Sequence, residues 1–174
     1  SVLDVFSYAG GWGVQAAAAG ASSVVCVDSS ANALELVQHN AELNDAGDRV
    51  SSLQGKAAEV MKALQKEQRR FDIIVLDPPA FIKRKKDQKQ GEKAYHQINE
   101  LALKLLAPGG LLVSASCSMH LPTEGLQKIV RSAGGTRSRR LQILASLGQG
   151  PDHPIHPSIA ETSYLKAIFA RDLG

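Results

Sequence analysis

Val2-Leu3-Asp4-Val5-Phe6-Ser7-Tyr8-Ala9-Gly10-Gly11-Trp12-Gly13 is the stretch on which the fold turns. Residues 2–6 read as a core strand, and a helical pattern follows over residues 13–19. Glycine is needed between them because the backbone must turn sharply and let a ligand approach. The turn is not a clean G-x-G-x-x-G, and alone it is a weak signal. Outward from it, the same alternation repeats. Strands are expected at 23–27, 50–53, 71–76 and 111–115, and helices at 31–44, 57–68 and 95–107. Such alternation implies βαβ units and a mostly parallel sheet, and right-handed crossovers put helices on both faces.

The punctuation agrees. Gly20 sits where a C-cap is wanted, Ser29 or Ser30 can cap the second helix, and Pro108-Gly109-Gly110 stops the fourth. The tail then changes character. A fifth helix is expected at 123–133 and a Gly/Ser/Arg-rich turn at 134–139. Two strands, 140–147 and 163–170, flank a Pro/His-rich loop. An open sheet of five βα units is thus expected to end in an antiparallel strand pair.

A length of 174 residues fits one domain with a real core. No apolar run approaches the ~18 residues of a membrane span. Cys26 and Cys117 lie far apart without metal spacing, which points to a reducing, cytoplasmic setting. A net charge of +3 permits a polyanionic partner without demanding one. The chain opens inside its first strand, so an N-terminal region of a longer parent is expected to be absent.

Two carboxylates sharpen the reading. Asp28 ends the second strand, where a carboxylate accepts both ribose hydroxyls of an adenosine cofactor. A nicotinamide dinucleotide would fit that feature nearly as well. Asp77-Pro78-Pro79-Ala80-Phe81 decides against it. This motif follows the fourth strand at the carboxyl edge, where open α/β sheets bind ligands. Its prolines remove two backbone donors and stiffen the turn, leaving the carboxylate to face a planar amine or ring nitrogen.

These segments, with Val24-Val25-Cys26-Val27-Asp28-Ser29-Ser30 and Ser114-Ala115-Ser116-Cys117-Ser118, resemble the bacterial 23S ribosomal RNA large-subunit methyltransferases that form 5-methylcytosine. The resemblance runs through Asp152-His153-Pro154 and Tyr164-Leu165-Lys166. It implies a Rossmann-like class I methyltransferase fold, a seven-strand, mostly parallel sheet ending in the antiparallel pair. It further implies S-adenosylmethionine as cofactor, ribosomal RNA as partner, and an N-terminal PUA RNA-binding domain outside this chain. Phe6, Ser7, Tyr8, Gly10, Gly11, Asp28, Ser29, Lys56 and Asp77 are the expected cofactor contacts. One position departs: the family carries an aspartate for the adenine amino group where Lys56 stands. Lysine cannot accept a hydrogen bond, so adenine recognition is expected from backbone groups or Glu59.

Cys117 closes the fifth strand, and its thiol is expected to approach the Asp77 loop. A thiolate adding to carbon 6 of cytosine raises electron density at carbon 5. A carboxyl group at ring nitrogen 3 stabilises the adduct, the role expected of Asp77. Pro78, Pro79, Phe81, Lys83 and Lys85 are candidate substrate contacts. Phe81 is open to stacking on the base or anchoring the loop, and the run Lys83–Lys89 to tracking phosphates or solvating a loop. Arg137, Arg139 and Arg140 form a weaker basic cluster, and Lys166 is either structural or reaches the substrate. Two other readings stay open: nitrogen methylation of a purine with Cys117 a bystander, or a non-catalytic cofactor- or RNA-binding module. His153 and His156 lack companions at ligand spacing, so no metal is expected. The number of copies in the assembly stays open, a homodimer included.

Overall fold

The computed structural model describes residues 1–135 and 139–174. In chain order the elements are β1 (Val2–Val5), α1 (Gly11–Ala18), β2 (Val24–Asp28), α2 (Ala31–Leu43), β3 (Val50–Gln54), α3 (Ala57–Lys66) and β4 (Phe71–Leu76). They continue with α4 (Gln88–Leu105), β5 (Leu106–Ser116), α5 (Thr123–Gly135), β6 (Leu141–Leu147) and β7 (Lys166–Asp172). One seven-stranded sheet runs in the order β3-β2-β1-β4-β5-β7-β6. The pairs among β1 to β5 are parallel, and β7 lies antiparallel between β5 and β6.

Alternating side chains along β1 and β2 feed two separate cores. Val2, Val24 and Cys26 pack with Val14 and Ala17 of α1 and Leu34 and Val37 of α2. Leu3, Val5, Val25 and Val27 turn the other way, toward Met61 and Leu64 of α3 and Leu101 and Leu105 of α4. Both faces are covered, so the central strands are continuous apolar runs rather than alternating ones. Gly13 marks the closest approach of α1 to β2: a Cβ there would lie 2.5 Å from the Cys26 sulfur. Cys26 is fully buried, and desolvation, with Asp4 adding to it, pushes its thiol up to about 12. It is a core residue.

Ser30 caps α2, accepting a hydrogen bond from the Ala33 N–H. Gly20 follows α1 with φ +100°. Three expectations change. Helix α4 begins at Gln88, not near residue 95, because a 3-10 turn over Lys85–Asp87 runs directly into it. The basic run is therefore largely helical, and only its start is loop. The fourth helix also ends at Leu105 before Pro108, and Pro108-Gly109-Gly110 lies inside β5 rather than stopping the helix. The β4–β5 register shifts between Phe71 and Ile73, beside this segment, which absorbs the irregularity. Strand β7 starts at Lys166, three residues later than expected.

The chain steps outward from β1 through β2 to β3, then returns to β4 and steps the other way. The carboxyl ends of β1 and β4 therefore flank a topological switch point, the place where such sheets bind ligands.

Candidate active site

Strand ends build the site. After β1 the chain turns through Phe6 at φ +68° and Tyr8 at φ +47°, conformations that side chains other than glycine rarely adopt. Backbone bonds hold it there: Phe6 and Ser7 both donate to the Val27 carbonyl, at 2.8 and 3.0 Å. Asn40 of α2 donates to the Ala9 carbonyl at 2.9 Å. Gly10 has φ +84°, and a Cβ on it would meet Val14 at 2.9 Å, so this position takes only glycine.

Asp28 ends β2 and ties the turn together. Its Oδ2 accepts from the Tyr8 N–H at 2.9 Å and its Oδ1 from the Ser30 N–H at 3.0 Å. Each oxygen has a second lone pair, so the carboxylate is oriented but still able to accept from a ligand. Phe6, Val27, Asp28, Ser29, Gly55, Lys56 and Ala57 line one cleft of about 190 Å³. Phe6, Ser7, Tyr8, Gly11, Trp12, Gln15 and Asp77 line a second of about 520 Å³. Phe6 is common to both, and together they have the size of a small-molecule site.

Lys56 is the N-cap residue of α3 and points to solvent, 3.6 Å from Glu59 with both side chains largely exposed. Glu59 pairs there with Lys56, and the Gly55 N–H donates to the Asp28 carbonyl at 2.9 Å.

A further strand end brings the chemistry. Cys117, half-buried after β5, puts its sulfur 3.9 Å from the Pro78 carbonyl of the loop after β4. A buried hydroxyl network fixes this juxtaposition. Ser116 Oγ donates to the Tyr95 hydroxyl at 2.9 Å, and Tyr95 and Ser118 hydroxyls share a bond of 2.9 Å. Ser118 Oγ accepts from the Ile82 N–H at 3.2 Å. Helix α4 thus bolts the Asp77 loop to the Cys117 turn through Tyr95.

The sequence reading missed this network, along with Asp4 and Trp12. Asp4 lies fully buried in β1, its Oδ2 accepting from the Gly13 N–H at 2.8 Å and its Oδ1 without a partner among the described residues. Desolvation pushes its carboxyl up to about 6, the Gly13 bond opposes, and Asp77 and Asp28 add to the rise. An acid inside an apolar strand was the available signal. Trp12 donates from Nε1 to Asp77 Oδ2 at 3.1 Å.

Of the remaining candidates, Pro78 is buried and Pro79 exposed. Phe81 packs against Phe6 and Tyr95, with ring centroids 6.2 and 4.8 Å away, so it anchors the loop. Lys83 and Lys85 are exposed beside it, and Arg84 pairs with Asp87 at 2.8 Å. Arg139 is engaged with the buried Asp172 and with the Leu106 carbonyl, a structural role. Arg137 lies outside the described residues. Lys166 is buried and donates to the carbonyls of Ser118 and Leu121. His153 bonds Asp152, and His156 Nδ1 accepts from the Ser158 N–H. Among the described residues no three His, Cys, Asp or Glu gather as a metal site, and no helix is long and apolar enough to cross a membrane.

Residues 1–141 match the family described as conserved hypothetical protein 95. The chain belongs to this family. This member of the conserved hypothetical protein 95 family is 43% identical over 173 residues to ribosomal RNA large subunit methyltransferase I of Aeromonas salmonicida. The match covers 98% of the chain and 43% of that protein, so the chain spans less than half of this curated relative. A candidate SAM-dependent methyltransferase of Streptococcus mutans superposes with a TM-score of 0.85 at 22% identity, covering 98% of this chain and 44% of that one. NSun6 of Pyrococcus horikoshii, solved with SFG, gives 0.74 at 19% identity, covering 99% and 48%. The fold is that of the class I methyltransferases.

Proposed function

We propose that this chain is the S-adenosylmethionine-dependent catalytic domain of an RNA methyltransferase, forming 5-methylcytosine in large-subunit ribosomal RNA through an adduct at Cys117. The observation that carries the reading is the Cys117 sulfur against the Asp77-Pro78 loop at the switch point of the sheet. The name of the Aeromonas relative supports the substrate class. A cytoplasmic setting follows from that substrate.

The two clefts fit the cofactor. Asp28 would take the ribose hydroxyls and backbone around Gly55 the adenine. Ser7, Tyr8, Gly10 and Gly11 would take the amino-acid end. When bound, the cofactor supplies an electrophilic methyl group. The residues of the chain do the rest. The target base must leave its stack to reach a sulfur set in this turn. The Cys117 thiolate adds to carbon 6, forming the C–S bond and moving the π pair to make carbon 5 nucleophilic. Asp77, acting as a carboxylic acid, would donate a hydrogen bond to ring nitrogen 3 as negative charge builds there. Once carbon 5 carries the methyl group, its proton leaves to a base. The C–S bond then breaks, restoring the ring and the thiolate.

The test uses the full-length parent, unmodified 23S RNA and labelled S-adenosylmethionine, with digestion to nucleosides. Label in 5-methylcytidine that disappears with Cys117→Ala supports the reading. Label in a methylated purine, or label that survives the substitution, makes Cys117 structural and transfers the role to nitrogen methylation beside Asp77.

A further inference from the structure

We propose that Trp12 is the positioning residue of this site, its indole N–H holding Asp77 so that the second carboxylate oxygen is turned to the substrate. The inference rests on reading this cleft as the methyl-transfer site. Three observations carry it. The bond is direct, Nε1 to Oδ2 at 3.1 Å, and spans two elements, the first turn of α1 and the loop after β4. Both residues line the same cleft. Among the described residues Oδ1 of Asp77 has no hydrogen-bond partner, so the bond to Oδ2 leaves one oxygen committed and one available.

Asp77 needs such a partner. It sits where Pro78 and Pro79 remove backbone donors, and its own N–H reaches the Val5 carbonyl only at 3.4 Å. No neighbouring backbone amide fixes the carboxylate rotamer, and the indole supplies the missing donor. Trp12 is itself well held, its ring centroid 6.5 Å from that of Phe169 on β7. The indole remains 40% exposed, so it also forms an aromatic wall of the cleft. Phe81, packed between Phe6 and Tyr95, does not offer that surface.

Four measurements on the full chain test this. Trp12→Phe keeps an aromatic ring and removes the donor, and should lower kcat about 3- to 10-fold, the usual worth of one hydrogen bond. KM for the cofactor should stay within about twofold, since that bond is not to the cofactor. Trp12→His, which restores an N–H, should recover part of the rate. In an Asp77→Ala background, which removes the acceptor altogether, Trp12→Phe should change the single-turnover rate no further. An unchanged kcat in Trp12→Phe, or the same fold-loss with and without Asp77, overturns the proposal. The chain has a single tryptophan, so indole emission reads Trp12 without any need for turnover. Asp77→Ala should shift that emission; an identical spectrum overturns the proposal. Rates are taken from whichever nucleoside carries the label. A methylated purine would therefore defeat the cytosine reading while leaving the Trp12 test intact.

Discussion

The Lys166 ammonium donates to the Ser118 and Leu121 carbonyls at 2.6 and 2.7 Å, closing the turn that begins at Cys117. Burial lowers its pKa, with Cys117 opposing, and no carboxylate compensates it among its bonded partners. Lys166→Met should leave two carbonyls without donors. The expected loss is about 1–3 kcal/mol of stability, less whatever the added apolar contact returns. Urea denaturation measures it, and a midpoint equal to wild type would show that the turn holds without the lysine.

Asp4 gives a pH signature. Its folded pKa of about 6 lies above the ordinary aspartate value of 3.8, so the folded chain binds this proton more tightly than the unfolded one. Its contribution to stability is fully present below pH ~4 and is lost as pH rises through ~6. The amount is on the order of 3 kcal/mol for a shift of about two units. Asp4→Asn keeps the acceptor for Gly13 and should flatten the stability curve across that window. Equal pH slopes in the two proteins would show that Asp4 is not the group responsible.

The two thiols should behave oppositely. Cys26 is fully buried with its pKa pushed up to about 12, while Cys117 is half-buried at the cleft. Mass spectrometry after brief alkylation of the folded chain should find Cys117 modified and Cys26 untouched. Modification of both at equal rates would contradict the burial assigned to Cys26.

Tyr95→Phe should separate packing from alignment. The ring stays, but Ser116 and Ser118 lose the hydroxyl that joins them. Buried donors left unpaired cost about 1–3 kcal/mol in stability. Methyl transfer should fall by at least tenfold, because the loop and the Cys117 turn are no longer bolted together. A stability loss with an unchanged rate would confine Tyr95 to the core.

Lys83 and Lys85 test the proposed RNA contact. Replacing both with alanine should reduce the slope of log affinity against log salt by about 1.4, the value for two phosphate contacts on a single strand. A slope identical to wild type would place the phosphate path elsewhere.

Much of this fold lay open in the sequence because its strands are short apolar runs separated by helical patterns. The switch-point residues Asp28 and Asp77 were legible for the same reason: each ends a strand that periodicity locates. What escaped was set by tertiary contact. The start of α4 depends on a 3-10 turn over Lys85–Asp87, which carries no apolar period. The Tyr95 network joins residues more than twenty positions apart, and no local spacing announces it. Trp12 was quoted with the glycine turn, yet only its approach to Asp77 gives it a role.

The placement of β7 also orders events in time. Strand β6 emerges before β7 but touches β5 only through it. The pairing Ser116↔Lys166 joins two of the more distant neighbours in the sheet, and such pairings form late because loop closure precedes any gain. A growing chain could thus complete the cofactor half while the turn after Cys117 still lacked its lysine. The Cys117 thiol would be framed only after the last strand had docked, so an incompletely synthesised copy would hold the Asp28 cleft without the lysine that closes the Cys117 turn.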